Sequence, residues 1–540
     1  MTLQEAENVT EHTQPNASVH ISEISFNDGT TLKLNQESIV VFTGTNNCGK
    51  SQILKDIMLK LTTNTKTQAK VVRNIKIEHI GTLKEDFFAN LQRYDTDKYS
   101  IDFGFGGYLK TREEISQIWL KGQSMGSLYR QAFKILDTEK RLITSKSKQA
   151  SSADLHGEIL PSLSNNVKAE EKISKYFKKA FNKSIALHKD FKGLSLHVGE
   201  FSSRESMTLA QEDEYYRDVA SKPLLDIQGD GMRSFATILL EIFTTNHSAM
   251  LIDEPEAFLH PPQAKIAGSM MSKNDHFKGQ LFISTHSEDF IQGLLGGNSD
   301  NVIVVKINRE GDVSKIHPLN SNDLKEIWRT PILRYSNVFK GLFHDKVVIC
   351  EGDRDCLFYQ AVIDSMCEQG DKIPPSILYT HCGGKDKVKD VAKILTTLKI
   401  PTTAILDFDI LVNKSKLKSL IEALGGDFEP FKDSTKKIYN WVNAKNQEKG
   451  SGDWFKDGLK EHGKEIFNGE AADAFREMDS LCKSIGLYIV PVGELECFHK
   501  CSKEKQDWVY YMLENFNLAT SDELQAARDF VKPIFLNNEA

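Results

Sequence analysis

Hydrophobic and polar positions alternate from Val19 to Leu34, with Asn27-Asp28-Gly29 interrupting the alternation. That pattern predicts a β-hairpin closed by a turn in which glycine supplies a positive φ. The apolar run Ser38 to Thr43 predicts a buried strand, and the helical spacing of Gln52 to Leu61 predicts a helix directly after a glycine-bearing loop. From about 85 to 195 the pattern becomes helical and heavily charged, and Thr144 to Asn166, rich in Ser, Lys and Asn, reads as a connection between helices. Alternation returns near Leu194, and buried strands are expected at Ala249 to Ile252 and Gln280 to Ser284. Leu319 to His344, a short helical connector carrying Pro331, precedes a second strand-helix series that begins at Lys346 to Cys350. That series continues with a strand at Ala404 to Leu406, a lysine-rich helical stretch and a late strand at Leu487 to Val490. No fixed-period repeat is present. The expected organisation is a polar tail (1–18), a first domain (19–330) with a helical insertion near 85–195, a connector (331–345) and a second domain (346–540) with a helical insertion near 413–485. Strands alternating with helices in both halves make the fold class α/β.

The 540 residues exceed what one hydrophobic core organises, which agrees with two or three domains. A net charge of −7 excludes a uniformly basic nucleic-acid coat but leaves room for a local basic channel. With 40% hydrophobic and 26% charged residues, the composition is that of a globular protein. No apolar run approaches the roughly 20 residues of a membrane span. The start MTLQEAENVTEHTQPN lacks the apolar core of a signal peptide, so a cytoplasmic protein with no membrane partner is expected. The 8 cysteines form no CxxC pair, and reduced thiols are expected in that compartment. Cys497-Phe498-His499-Lys500-Cys501 contains soft zinc ligands but has no second ligand pair elsewhere, so ordinary thiols are the expectation there too.

Gly44-Thr45-Asn46-Asn47-Cys48-Gly49-Lys50-Ser51 fits GxxxxGK[ST] at every defined position, between a predicted strand and a predicted helix. Such a loop wraps phosphate with backbone N–H groups, while Lys50 neutralises the β- and γ-phosphates and the Ser51 hydroxyl ligates magnesium. The helix N-terminus adds positive potential, which makes Gly44, Asn46, Asn47, Gly49, Lys50, Ser51 and Gln52 the expected ATP-binding residues. The apolar strand Ala249-Met250-Leu251-Ile252 delivers Asp253-Glu254-Pro255-Glu256 at its end. There Asp253 is the expected magnesium-shell residue and Glu254 the expected catalytic acid that polarises water. Helix capping is the alternative use of such acids. A third strand, Leu281-Phe282-Ile283-Ser284, leads into Thr285-His286-Ser287, which makes His286 a candidate for a place beside the γ-phosphate, although a lone histidine is a weak signal by itself.

These motifs, together with Ala257-Phe258-Leu259-His260-Pro261, resemble the ABC-type ATPase head of SMC and RecF-like proteins. In that family two heads sandwich ATP, and a glycine-rich signature of one touches the γ-phosphate held by the other. Gln228-Gly229-Asp230-Gly231-Met232-Arg233-Ser234 occupies the corresponding place before a helix, although it departs from the LSGGQ wording, and it makes Gly229 and Gly231 candidates for that contact. A plain helix-capping loop is the alternative. No Q-loop glutamine is assigned.

In the second half, the strand Val347-Val348-Ile349-Cys350 ends in Glu351-Gly352-Asp353-Arg354-Asp355, and Ala404-Ile405-Leu406 ends in Asp407-Phe408-Asp409. If these strands are neighbours in a parallel sheet, their C-terminal ends gather Glu351, Asp407 and Asp409 in one crevice. Bound Mg²⁺ or Mn²⁺ would relieve the resulting repulsion. Asp355, one helical turn beyond Glu351, is a further ligand candidate, and capping of helices and strand ends is the alternative for each acid. The arrangement resembles the Toprim domain of topoisomerases, primases and OLD-family nucleases. Gly383-Gly384-Lys385 and Val490-Pro491-Val492-Gly493-Glu494-Leu495-Glu496 extend the match, with Glu494 and Glu496 as candidates for a second metal site.

An ABC-type head followed by a Toprim domain resembles the OLD (overcoming lysogenization defect) family of nucleases over nearly the whole chain. The resemblance implies an ATP-regulated, divalent-metal-dependent DNA endonuclease of antiphage defence, with catalytic Glu351, Asp407 and Asp409. It also implies a homodimer or higher homo-oligomer, and a partner protein or a reverse transcriptase with retron DNA. A family lysine is expected near the metal site, with Lys500 and Lys503 as candidates. Lys172 to Lys179 mixes bases with aromatics, as a nucleic-acid contact would, although Ile173, Phe177 and Phe181 share a helical face, as in an ordinary amphipathic helix. The other readings are a DNA-binding ATPase without nuclease activity and a Toprim nuclease acting on RNA such as tRNA.

Overall fold

The computed structural model describes residues 17–62, 69–83, 93–95, 98–102, 107–144, 148–149, 159–190, 193–202, 207, 209–245, 247–273, 277–297, 299–319, 324, 337–382, 387–449, 458–502 and 505–536. Most of the polar tail, Pro331, Gly383-Gly384-Lys385 and Lys503 lie outside these residues. The chain divides into two compact units, Met1–Trp328 and Arg329–Ala540.

The first unit is built on a six-stranded sheet in which the Ile39–Gly44 strand pairs in parallel with Gln280–Ser284 on one side and Val302–Glu310 on the other. Ala249–Asp253 lies beyond Gln280–Ser284, and Phe133–Leu136 beyond that, again in parallel. The antiparallel Val313–Pro318 strand closes the opposite edge. Val40, Val41 and Phe42 are 0% exposed, as expected of a strand covered on both faces, and each such burial contributes about 1.5–3 kcal/mol. The predicted hairpin is present: Ser18–Phe26 pairs with Thr31–Lys33 around Gly29 at φ +92°. With Val72–Ile80 these strands form a second, antiparallel sheet packed on the helix Lys50–Thr62.

The region expected to be a helical insertion is mixed. It contains helices such as Arg112–Leu120 and Val167–Phe181. It also contains a small antiparallel sheet spanning Arg93–Asp95, Lys98–Asp102 and Gly107–Thr111, and the Ser184–Asp190/Gly193–Gly199 hairpin. Its Phe133–Leu136 segment is a strand of the central sheet. That strand has only four residues, one of them Lys134, so no period develops. In Val167–Phe181, Ile173 and Phe177 are buried and Phe181 packs on Phe235 at 5.6 Å, the amphipathic alternative for that lysine-rich stretch.

The second unit carries four parallel strands in the spatial order Ile377–His381, Lys346–Cys350, Thr402–Leu406, Leu487–Ile489. In chain order these are strands two, one, three and four, so the order reverses between Lys346–Cys350 and Thr402–Leu406. The crevice beyond the carboxyl ends of that pair is where open α/β sheets bind ligands. Helix Asp353–Gln369 covers one face with Lys505–Asn515 and Gln525–Leu536 around the wholly buried Trp508. Helices Lys414–Ala423, Lys432–Lys449 and Gly469–Ser484 lie between the third and fourth strands in sequence.

Candidate functional sites

In the first unit, the strand Ile39–Gly44 feeds directly into the phosphate loop. Gly44 has φ +148°, and a β-carbon there would lie 2.3 Å from the Ile307 carbonyl oxygen, so glycine is required on both counts. Gly49, at φ +106°, and Asn47, at φ +62°, complete the reversal into the helix, with Asn46 and Asn47 exposed at the crest. The buried Lys50 folds its Nζ back to the carbonyls of Gly44 (3.0 Å) and Thr45 (2.8 Å). The Ser51 hydroxyl donates to Asp253 Oδ1 at 2.8 Å, joining the phosphate loop to the acid that ends the Ala249–Asp253 strand. Ser284 makes a second hydroxyl contact to the same oxygen. Gln52 is turned away, donating to Asp56 at 2.7 Å; Asp56 in turn accepts the backbone N–H groups of Val71 and Val72.

Glu254 sits at φ +48°, its N–H donated to Ser284 O at 2.9 Å. His286 Nδ1 lies 3.3 Å from Glu254 Oε1 and 3.5 Å from Glu256 Oε1. Burial pushes the Glu256 carboxyl above its ordinary value, against hydrogen bonds from Thr285 and the His286 N–H. Gly229 caps the helix Asp230–Thr244 with open space around its α-carbon, while Gly231 meets the Phe258 carbonyl, 2.5 Å from where a β-carbon would stand. The structure thus joins Ser51 to Asp253 and Glu254 to His286, and packs the glycine-rich segment on the loop that follows Glu254.

Two side chains that no motif reveals brace the phosphate loop from the Val302–Pro318 hairpin. Ser314 Oγ donates to Cys48 O at 2.9 Å, and Arg309 Nη1 donates to Asn47 O at 3.2 Å. Both lie more than 260 residues away in sequence, so local pattern carries no signal for them.

In the second unit, Glu351 and Asp407 end the adjacent strands Lys346–Cys350 and Thr402–Leu406, and Glu351 Oε1 accepts the Asp407 N–H at 3.1 Å. Asp407 (7% exposed) and Asp409 (4%) are both buried at the start of the short Phe408–Val412 turn. Asp355 is buried and accepts the Gly352 N–H at 2.8 Å, so it caps its own helix. Tyr359 is pushed well above its ordinary value, first by burial and then by the charges of Asp355, Cys350, Asp407 and Glu496.

The Pro491–Glu496 loop is tied to this floor because Phe408 donates its N–H to Gly493 O at 2.8 Å. Lys460, which no motif indicated, donates from Nζ to Glu494 Oε2 at 3.1 Å. Its partial burial opposes the charge, but the Glu494 hydrogen bond and the charges of Glu494, Asp409 and Asp407 outweigh it, so the ammonium is held above its ordinary value. Among the described residues Lys460 is thus a lysine set beside Glu494, whereas Lys500 is exposed. Cys497 Sγ donates to Lys460 O at 3.2 Å. Among the described residues no three His, Cys, Asp or Glu side chains are gathered closely enough to hold a metal ion. The donor chemistry nevertheless fits a hard divalent cation, since every acid of the crevice offers carboxylate oxygen.

Residues 342–409 match the family described as overcoming lysogenization defect protein-like, TOPRIM domain. Residues 168–291 match an AAA domain described as putative AbiEii toxin, Type IV TA system. The Old nuclease of Escherichia phage P2 is 21% identical over 294 residues, which cover 49% of this chain and 45% of that protein, so the chain spans about half the length of this relative. An uncharacterized protein of Methanocaldococcus jannaschii is 32% identical over 88 residues, 16% of this chain and 77% of that protein. Among solved structures, an SMC head bound to the C-terminal winged-helix domain of ScpA covers 56% of this chain and 99% of its own, at 14% identity and a TM-score of 0.34. The SMC head domain from Thermotoga maritima covers 56% of this chain and 98% of its own, at 12% identity and a TM-score of 0.29. The chain thus joins an AAA/ABC-like ATPase domain to an OLD-like Toprim domain. These matches, with the similarity to Old nuclease, are consistent with the OLD family.

Among the described residues no helix is long and apolar enough to cross a membrane.

Proposed function

We propose that this protein is an ATP-regulated, divalent-metal-dependent endonuclease that cleaves DNA, and that it acts as an antiphage defence effector in the cytoplasm. The observation that carries the reading is the pairing of Lys346–Cys350 with Thr402–Leu406, which sets Glu351 and Asp407 at neighbouring strand ends where the strand order reverses. Glu351, Asp407 and Asp409 would hold Mg²⁺ or Mn²⁺, with Asp355, Glu494 and Glu496 around them. When bound, such a cation neutralises charge at a phosphodiester and lowers the pKa of water. The chain's own contribution is to hold Glu351 and Asp407 at neighbouring strand ends, with Lys460 adding a fixed positive charge beside Glu494 that a phosphate would meet.

In the first unit, Lys50 is placed to meet the nucleotide phosphates, Ser51 and Asp253 to hold magnesium, and Glu254 to accept a proton from water, with His286 beside its carboxylate. The open Gly229 supports a trans contact to nucleotide held by a second copy, and so a homodimer or higher homo-oligomer. ATP would then govern access to the nuclease through the separation of two heads. A partner protein, or a reverse transcriptase carrying retron DNA, is the trigger this reading admits.

The test is incubation of the purified chain with supercoiled plasmid, linear DNA and tRNA, with Mg²⁺ or Mn²⁺ and with or without ATP. Metal-dependent cutting of DNA that responds to ATP is expected. Cutting of tRNA alone would move the substrate to RNA, and ATP hydrolysis with DNA binding but no cutting would reduce the protein to a binding ATPase.

A further inference from the structure

The glycine-rich helix and the acids that end the Ala249–Asp253 strand are joined by one buried side chain. Arg141, in the short helix Thr138–Thr144, is 0% exposed. Each nitrogen of its guanidinium is occupied. Nε donates to Ser234 Oγ (2.9 Å), Nη1 to Leu136 O (3.1 Å) and Asp253 O (2.5 Å), and Nη2 to Glu254 O (2.9 Å) and Thr138 Oγ1 (3.4 Å). A guanidinium has five N–H donors in a fixed plane, and here they meet five acceptors. A lysine, with three donors on a point charge, cannot replace that set. Burial works against the charge, and Glu256, Asp253, Asp137 and Glu254 work for it.

Where these bonds go suggests more than packing. Glu254 has φ +48°, a conformation that residues with a β-carbon leave when nothing holds them. Its N–H is held by Ser284 O, and its C=O accepts from both the Ala257 N–H (2.9 Å) and Arg141, so Arg141 supplies one of three hydrogen bonds to that backbone and the one that comes from outside its own loop and strand pair. The opposite side of the same arginine grips the first turns of the Asp230–Thr244 helix. Ser234 accepts from Nε, Thr237 Oγ1 donates to Arg141 O at 2.6 Å, and Arg233 donates to the neighbouring Leu142 O at 2.5 Å. That helix is capped by Gly229, where a β-carbon would meet nothing within 4 Å. A shift at its first turn therefore reaches the Glu254 backbone through one rigid plane.

We propose that Arg141 is a positioning residue for ATP hydrolysis, a buried relay that fixes Glu254 and makes its placement depend on the first turn of the Asp230–Thr244 helix. The inference rests on the ATPase reading above and adds a regulatory connection to it. Arg141 is wholly buried and acts through Glu254.

The experiment compares the full-length parent with Ser234→Ala, Arg141→Lys and Glu254→Gln. Steady-state ATP turnover, affinity for a fluorescent ATP analogue with Mg²⁺ and thermal unfolding are measured on each. Ser234→Ala removes one donor–acceptor pair from the relay and keeps the arginine, so turnover should fall about 10-fold or more, the effect of one buried hydrogen bond to a charged group. Arg141→Lys should lower turnover about 100-fold, in the range of a lost preorganised electrostatic contact. In both, nucleotide affinity should stay within about 2-fold of the parent, because the phosphate loop is untouched, and Glu254→Gln should show the same split between binding and turnover. Parental turnover in Ser234→Ala, or affinity and unfolding temperature falling in step with turnover, would reduce Arg141 to a packing role. A parent that binds no ATP and hydrolyses none would overturn the ATPase reading and the relay together. Hydrolysis by the parent with an unaffected Ser234→Ala overturns the relay alone.

Discussion

Gly493→Ala is the most informative single change in the second unit. Gly493 has φ +115°, and a β-carbon there would stand 1.9 Å from Lys460 O, 2.6 Å from Lys460 C and 3.1 Å from Leu459 O. All three obstacles are backbone atoms, so no side chain can swing aside. Adopting that backbone conformation with a β-carbon costs about 1–3 kcal/mol, and forcing the two segments apart costs about 1–3 kcal/mol more. The expected loss is therefore about 2–6 kcal/mol, borne by the second unit. Gly469→Ala is the control: φ is +51° but nothing lies within 4 Å, so only about 1–2 kcal/mol of strain applies. Denaturant unfolding followed by fluorescence separates the two, provided the transitions of the two units are fitted separately. Gly493 also accepts the Phe408 N–H, and Lys460 pairs with Glu494, so displacing this loop moves acids on both sides of the crevice. DNA cleavage by Gly493→Ala should fall about 100-fold, as for a displacement of about 1 Å at a reacting centre, with ATP hydrolysis unchanged. Stability equal to that of Gly469→Ala, together with parental cleavage, would refute the reasoning.

Lys460→Met keeps the stem of the side chain and removes its charge. Cleavage should fall about 10-fold or more, mainly through a higher KM for DNA, while ATP turnover stays parental; equal losses in both activities would point to misfolding instead. The buried Glu241 carboxyl is held below its ordinary value of 4.5 even though burial alone would raise it, because His247 and Lys134 bond to it and attract its charge. A carboxyl depressed in the folded state contributes stability above its unfolded value and loses it as pH falls through the folded one. Glu241→Gln should therefore be about 1–3 kcal/mol less stable than the parent at neutral pH, with the two converging as pH falls from the ordinary carboxyl value through the lower folded one. Unfolding curves across pH check this, and a constant gap would contradict it.

The parts of both sites that lie at strand ends were legible because their chemistry is local. Lys50 and Ser51 open a helix immediately after a strand, and Asp253, Glu351 and Asp407 each follow an apolar run. The pairing of the two acid-bearing strands, expected only conditionally from sequence, is a direct parallel pairing in the structure. What sequence hid depends on long-range contact. Arg141 reaches Asp253 and Glu254 across separations of 112 and 113 residues. Lys460 lies in a lysine-rich stretch, where one more lysine carries no information, and becomes distinct only when the fold sets it against Glu494. Phe133–Leu136 was read as helical because its four residues cannot establish a period, yet its pairing with Ala249–Asp253 places Arg141 beneath the acids. Gln52 shows the converse: its position in the motif suggested nucleotide, and its side chain is engaged with Asp56.

The central claim is that one chain carries two separate phosphate-chemistry sites, and a single reaction series tests it most directly. Phosphate release and plasmid cleavage are measured together for the parent, Lys50→Ala and Asp407→Ala/Asp409→Ala. The parent should show both activities, the double aspartate variant should hydrolyse ATP at the parental rate without cutting, and Lys50→Ala should lose hydrolysis. Parental cutting by the double aspartate variant would contradict the account.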